Sequence, residues 1–190
     1  MKFKSIGAGC NISPKASFHN PEMITIGDNV RIDDFCVLSG GVGITIGAHI
    51  HIACYVSMFS GAGIVIGDFC QFGAYTVLLS ESDDFSGDSM VGPQVPMEYK
   101  PGYKTGNPII IKKHVVFGSR CTIFPGLTLD EGAIFGAHSL VNRNCEPWMM
   151  YAGTPIREIK ARRKAVLELE QDFYKDQYPK YDLLADWRTR

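Results

Sequence analysis

Large apolar side chains recur along the chain at every sixth position: Ile26, Ile32 and Leu38, then Ile46, Ile52 and Met58, then Ile66, Phe72 and Leu78. The pattern resumes at Phe117 and runs through Ile123, Leu129, Phe135 and Val141. The position after each is usually small or acidic, as at Gly27, Asp33, Ser39, Gly47, Ala53, Gly67 and Gly73. A longer repeat overlies the short one. A shift of twenty residues superimposes Ile24-Thr25-Ile26-Gly27-Asp28 on Ile44-Thr45-Ile46-Gly47-Ala48 and on Ile64-Val65-Ile66-Gly67-Asp68.

A period of six suits neither an amphipathic helix, which recurs at three or four, nor a half-buried strand, which alternates strictly. It predicts short strands separated by corners. Three hexads then form the three sides of a triangular prism, one coil takes about eighteen residues, and the Ile-Thr or Ile-Val pair completes each twenty. The first residue of each hexad fills the prism axis, and each buried Ile, Leu or Phe contributes roughly 1.5 to 3 kcal/mol. Backbone groups pair with the coils above and below, so stability accumulates coil by coil. The fold class expected is an all-β solenoid with one inserted loop and a C-terminal α-helix.

Two stretches leave the pattern. Residues 81–108 lack hexads and carry Pro93, Pro96, Pro101 and Pro108; Phe85, Tyr99 and Tyr103 are expected to bury area and make this insertion an ordered flap. From Pro155 onward the segment REIKARRKAVLELEQDFYKD reads as a helix with Ile159, Val166, Leu169 and Phe173 on one stripe. Pro179 ends that helix or sets off a short tail containing Trp187. The expected division is a repeat domain over 1–156, interrupted by the loop 81–108, and a C-terminal helix and tail over 157–190.

Composition narrows the function. A chain of 190 residues with 45% hydrophobic and 21% charged residues is a folded domain of ordinary size. Its formal charge of -1 excludes a global positive field for nucleic acid or an anionic membrane. No signal-peptide core opens the chain and no apolar run reaches the length of a membrane span, so a cytoplasmic location is expected. Six cysteines lack any C-x-x-C pair, and Cys10, Cys36, Cys70, Cys121 and Cys145 fall on the fifth position of their hexads. They read as small buried hydrophobes rather than disulfide partners. In Ile46-Gly47-Ala48-His49-Ile50-His51 the isoleucines point inward, so both histidines point outward, where substrate could lie.

The hexads from Ile6 to about Ile159 resemble the hexapeptide-repeat acyltransferases. So do Phe117-Gly118-Ser119-Arg120-Cys121, Phe135-Gly136-Ala137-His138-Ser139 and the closing Tyr151-Ala152-Gly153-Thr154-Pro155-Ile156-Arg157-Glu158-Ile159-Lys160. The resemblance implies a left-handed parallel β-helix, a homotrimer with active sites between subunits, and acetyl-CoA as the acyl donor. It implies transfer of an acetyl group to a hydroxyl of a sugar or sugar-containing intermediate, in sugar modification or surface polysaccharide assembly. By the same resemblance Ser119 and Ala137 line the pantetheine arm, while Thr154, Arg157 and Lys160 meet the nucleotide end. Small side chains leave room for a thin chain, and cations meet phosphate. The basic run Arg162, Arg163 and Lys164 is expected near the same phosphates.

In the galactoside and maltose acetyltransferase branch the corresponding insertion carries the catalytic histidine. Here the stretch reads Ser80-Glu81-Ser82-Asp83-Asp84-Phe85 and holds none. His51 is therefore the expected base, oriented by Asp83 or Asp84. β-Helix carbonic anhydrases hold zinc through three histidines, two of them five residues apart. No such spacing exists among His19, His49, His51, His114 and His138, so no metal is expected. Two other readings stand beside the first: N-acetylation of a nucleotide-linked amino sugar, whose amine needs less help from a base, and a non-catalytic scaffold.

Overall fold

The computed structural model describes residues 2–92, 94–102 and 105–177. Pro93, Tyr103, Pro179 and Trp187 lie outside the described residues. The chain winds into a three-sided parallel β-solenoid of about seven turns. The first side stacks Ser5–Ile6, Ile24–Ile26, Ile44–Ile46, Ile64–Ile66, Ile109–Ile111 and Thr128–Leu129. The second stacks Asn11–Ile12, Arg31–Ile32, His51–Ile52, Gln71–Phe72, Val116–Phe117, Ile134–Phe135 and Met149–Ala152. The third stacks Ser17–His19, Val37–Ser39, Ser57–Phe59, Val77–Leu79, Thr122–Ile123 and Leu140–Val141.

The twenty-residue repeat is the ladder register itself, with Ile26 opposite Ile46 and Ile46 opposite Ile66. Beyond the insertion the coil shortens to eighteen, pairing Phe117 with Phe135 and Ile123 with Val141. Every first-of-hexad residue named above is at most 2% exposed. Phe72, Phe117, Phe135 and Tyr151 stack along the axis with centroid steps of 5.0, 5.0 and 5.6 Å. All six cysteines are free thiols. Burial pushes Cys36 up to about 11 and Cys70 and Cys145 up to about 12, so these thiols are inert packing groups.

Two expectations are corrected. Arg157–Ala161 is a strand, not the start of a helix, and pairs antiparallel with Met149–Ala152. The last strand of the second side offers an open edge, and satisfying its backbone groups outweighs the high helix propensity of Arg157, Glu158, Lys160 and Ala161. Ile159 is accordingly 60% exposed, and the helix α1 covers only Val166–Gln177, with Leu169 facing solvent. The second correction concerns the flap, where Phe85 and Tyr99 are exposed rather than buried.

Polar contacts order the flap instead. Glu81–Ser82 pairs antiparallel with Thr105–Gly106 at its neck. Asp84 accepts hydrogen bonds from the Ser86 amide and hydroxyl and from the Ser89 amide. Lys100 is buried and donates to the Gly92 carbonyl.

Candidate active site

At two of the three corners most coils turn through one residue in the left-handed region. At the corner between the second and third sides these are Phe35, Tyr55, Tyr75, Arg120 and His138, with φ between 61° and 63°. A non-glycine residue adopts that conformation at a cost. Here its amide is turned onto the coil below: Tyr55 donates to Asp34, Tyr75 to Cys54, Arg120 to Ala74 and His138 to Ser119. The rings of Phe35, Tyr55 and Tyr75 stack at 5.0 and 4.7 Å, and the Arg120 guanidinium lies 5.0 Å above Tyr75.

This corner gathers three of the residues expected to hold the acyl donor. Ser119, Ala137 and Thr154 sit on successive coils, linked by His138 N donating to Ser119 O and Thr154 Oγ1 donating to His138 O, both at 2.9 Å. The backbones approach so closely that a Cβ on Gly118 would lie 2.5 Å from Ala137 N. The result is a shallow ledge of small side chains. Arg157 pairs with Ala152 beside this corner, whereas Lys160 pairs with Met150 farther along the second side. Both cations are exposed.

Arg162 is elsewhere. Its Nη1 donates to the carbonyls of His114 and Gly132, at 2.7 and 3.0 Å, and the guanidinium covers Trp148. It anchors the segment leading into α1 at the corner between the first and second sides, away from the corner of Ser119, Ala137 and Thr154. His49 belongs to that same corner, stacked on Phe69 at 5.1 Å and met edge-on by Phe173 of α1. Next in the stack, His114 is 5% exposed and its Nε2 lies 2.8 Å from Glu170 Oε2. A cleft of about 430 Å³ remains between α1 and this stack.

His51 faces outward from the second side, between Arg31 below and Gln71 above. Its Nε2 lies 2.8 Å from Asp33 Oδ2, and Asp33 Oδ1 accepts from Arg31 Nε at 2.7 Å. Partial burial pushes the Asp33 carboxyl up, but hydrogen bonds from His51 and Arg31 outweigh it and hold the group below its ordinary value of 3.8. Sequence reasoning missed this partner. The signal was present: Asp33 follows Ile32, His51 precedes Ile52, and Ile32 and Ile52 are in register.

The flap aspartates do not reach His51 within one chain. The Ser86 hydrogen bonds, first the hydroxyl and then the amide, pull Asp84 down to about 2, and its carboxylate holds the loop turn. The Asp83 carboxylate makes no hydrogen bond or ion pair with a described residue. Among the described residues no three His, Cys, Asp or Glu side chains gather as a metal site, and no helix is long and apolar enough to cross a membrane.

A prism of hexads with a ledge of small residues at one corner and a long flap on another defines an acyltransferase architecture, and the chain belongs to the hexapeptide-repeat acyltransferases. Its coil is left-handed, an exception to the rule that parallel crossovers are right-handed. The chain is 41% identical over 174 residues to the dTDP-4-amino-4,6-dideoxy-D-glucose acyltransferase of Escherichia coli, covering 91% of this chain and 90% of that one. AntD, an N-acyltransferase from Bacillus cereus, solved with dTDP and 3-hydroxybutyryl-CoA, superposes with a TM-score of 0.86 at 43% identity, over 92% of this chain and 91% of that one. A variant of AntD with dTDP-4-amino-4,6-dideoxyglucose and coenzyme A superposes equally well, at 0.86 and 43% over the same shares. A hexapeptide-repeat acetyltransferase from Vibrio cholerae, at 22% identity and a TM-score of 0.57 over 85% of this chain and 76% of that one, shares the fold alone. No family model matches the chain.

Proposed function

We propose that the protein transfers an acyl group from acyl-CoA to the 4-amino group of a dTDP-linked 4-amino-4,6-dideoxy sugar. The observation that carries this reading is the near full-length likeness to the Escherichia coli acyltransferase, 41% over 174 residues. An amine acceptor replaces the sugar hydroxyl expected first from sequence. The flap without a histidine agrees with it, because an amine is a stronger nucleophile than a hydroxyl and requires less base assistance.

The pantetheine arm runs down the second-to-third corner along Ala137 and Ser119, with Thr154, Arg157 and Lys160 at the phosphate end. From Ala137 to the coil of His51 and Cys54 is three rungs, about 14 Å at the spacing of paired strands. An extended pantetheine, comparable to four or five residues of chain, spans roughly 15 Å. The thioester therefore comes level with His51. The imidazole takes a proton from the sugar ammonium and the amine lone pair attacks the thioester carbonyl. The C–S bond then breaks, and the departing thiolate takes the remaining amine proton to leave as coenzyme A. The product is an amide, and His51 returns its proton to solvent. His51 is the proposed base, and Asp83 and Asp84 contribute only through the flap, which Asp84 shapes.

A homotrimer is part of the proposal. Val65 and Ile110 on the first side, with Phe59 and Phe124 at the third, leave apolar surface exposed in the single chain, and side-on packing covers it. The cytoplasm, where acyl-CoA and nucleotide sugars are made, is the proposed location. The test is coenzyme release from acetyl-CoA and 3-hydroxybutyryl-CoA, with dTDP-4-amino-4,6-dideoxyglucose compared against dTDP-glucose and free sugars. Release that depends on the amino sugar is the expected outcome; equal release with the hydroxyl sugars would refute N-acylation.

A further inference from the structure

We infer that Asp33 is the positioning residue for His51, and that the base is specifically Nδ1 of that imidazole. The inference rests on the reading of His51 as the base in acyl transfer. Asp33 Oδ2 lies 2.8 Å from Nε2, and a carboxylate can only accept there. Nε2 therefore carries the hydrogen in the neutral ring, and the lone pair belongs to Nδ1. No described residue hydrogen-bonds Nδ1.

The carboxylate is itself held. Arg31 Nε donates to Oδ1 at 2.7 Å, which fixes the rotation of the group and aims Oδ2 at the histidine. The adjacent Asp34 does not compete, because it accepts from Ser13 Oγ at 2.5 Å and from Lys15 Nζ at 2.8 Å. Arg31, Asp33 and His51 thus form a relay across two coils of one side. An exposed ion pair contributes little to stability. Here the Asp33 side chain is 24% exposed and that of His51 36%, so the pair is partly shielded and its main effect is orientation.

When Nδ1 takes the proton of the ammonium, the new imidazolium stands against an anion already in place. This is the division of labour that a buried carboxylate performs for a catalytic histidine in hydrolases. It also accounts for a flap that lacks both a histidine and a carboxylate in contact with His51.

The experiment has two arms on the full chain. Nitrogen NMR of the imidazoles, assigned by a His51→Gln spectrum, reads the tautomer without any substrate. The neutral His51 ring is expected to be protonated at Nε2 and bare at Nδ1, and Asp33→Asn should erase that preference. In the second arm, Asp33→Asn should lower kcat by about 10²-fold or more with KM for acyl-CoA within threefold, and Asp33→Glu should restore part of it. A wild-type ring protonated at Nδ1, or Asp33→Asn turnover within threefold of wild type, overturns the positioning role. His51→Gln at full turnover instead removes the base itself, which separates failure of the underlying reading from failure of this one.

Discussion

Glu170 on α1 and His114 at the corner between the first and second sides meet at 2.8 Å, fifty-six residues apart in the chain, and Lys113 joins Glu170 at 3.3 Å. The contact ties the terminal helix to the solenoid. The His114 hydrogen bond, foremost, holds the Glu170 carboxyl below its ordinary value of 4.5. A carboxyl depressed in the folded state adds stability that is complete above its unfolded value and is lost as pH falls through the folded one. Docking of α1 should therefore be full above about pH 5 and weaken progressively below pH 4.5. Amide exchange across 166–177 reads this directly. Glu170→Ala should speed exchange there at neutral pH by an amount equivalent to about 1–3 kcal/mol. Exchange rates unchanged by the substitution and by acid would remove this role from the pair.

The axial aromatic stack makes a second prediction. Phe117 is 2% exposed between Phe72 and Phe135, and Phe117→Ala should cost about 3–5 kcal/mol by lost burial and a residual cavity. Phe124, 42% exposed, should cost under about 1 kcal/mol when truncated. Urea unfolding of the two variants compares them, and equal midpoints would contradict an axis packed by the hexad leaders.

Gly118 lies where two coils approach closely beside the proposed donor ledge. A Cβ there would sit 2.5 Å from Ala137 N and 2.9 Å from Ala137 Cα, and backbone atoms cannot swing aside. Gly118→Ala should cost about 1–3 kcal/mol by forcing two coils apart. Because Ser119 and Ala137 form the ledge at that point, KM for acyl-CoA should rise about tenfold while KM for the amino sugar stays near its original value. Steady-state kinetics with each substrate varied in turn decides the matter; an unchanged KM for acyl-CoA would move the pantetheine arm off this corner.

The prism was legible because its cause is local and repeated. Ile26, Ile46 and Ile66 carry the same burial requirement at the same place in each coil, and the ladder then has only one register that keeps them all on the axis. Family likeness in the Gly118-Ser119, Gly136-Ala137 and Ala152-Lys160 segments pointed to the ledge proposed for the acyl donor, and the structure brings Ser119, Ala137 and Thr154 onto one corner. Arg162 was misread because a cation in sequence looks the same whether it meets phosphate or caps two carbonyls. Residues 157–161 read as a helix because their own propensities favour one, whereas an edge strand is created by its neighbour.

The order of apolar and small residues alone determined the solenoid, the site of its insertion and the kind of side chain along its axis. Backbone pairing between coils allows only a periodic chain to satisfy every buried amide. Only the folded molecule decided that His51 faces Asp33 rather than the flap, that His114 is joined to Glu170, and where the last strand ends and α1 begins. Those partnerships join residues 18 and 56 positions apart, and such distances close only when coils stack at a common height and a helix folds back across them.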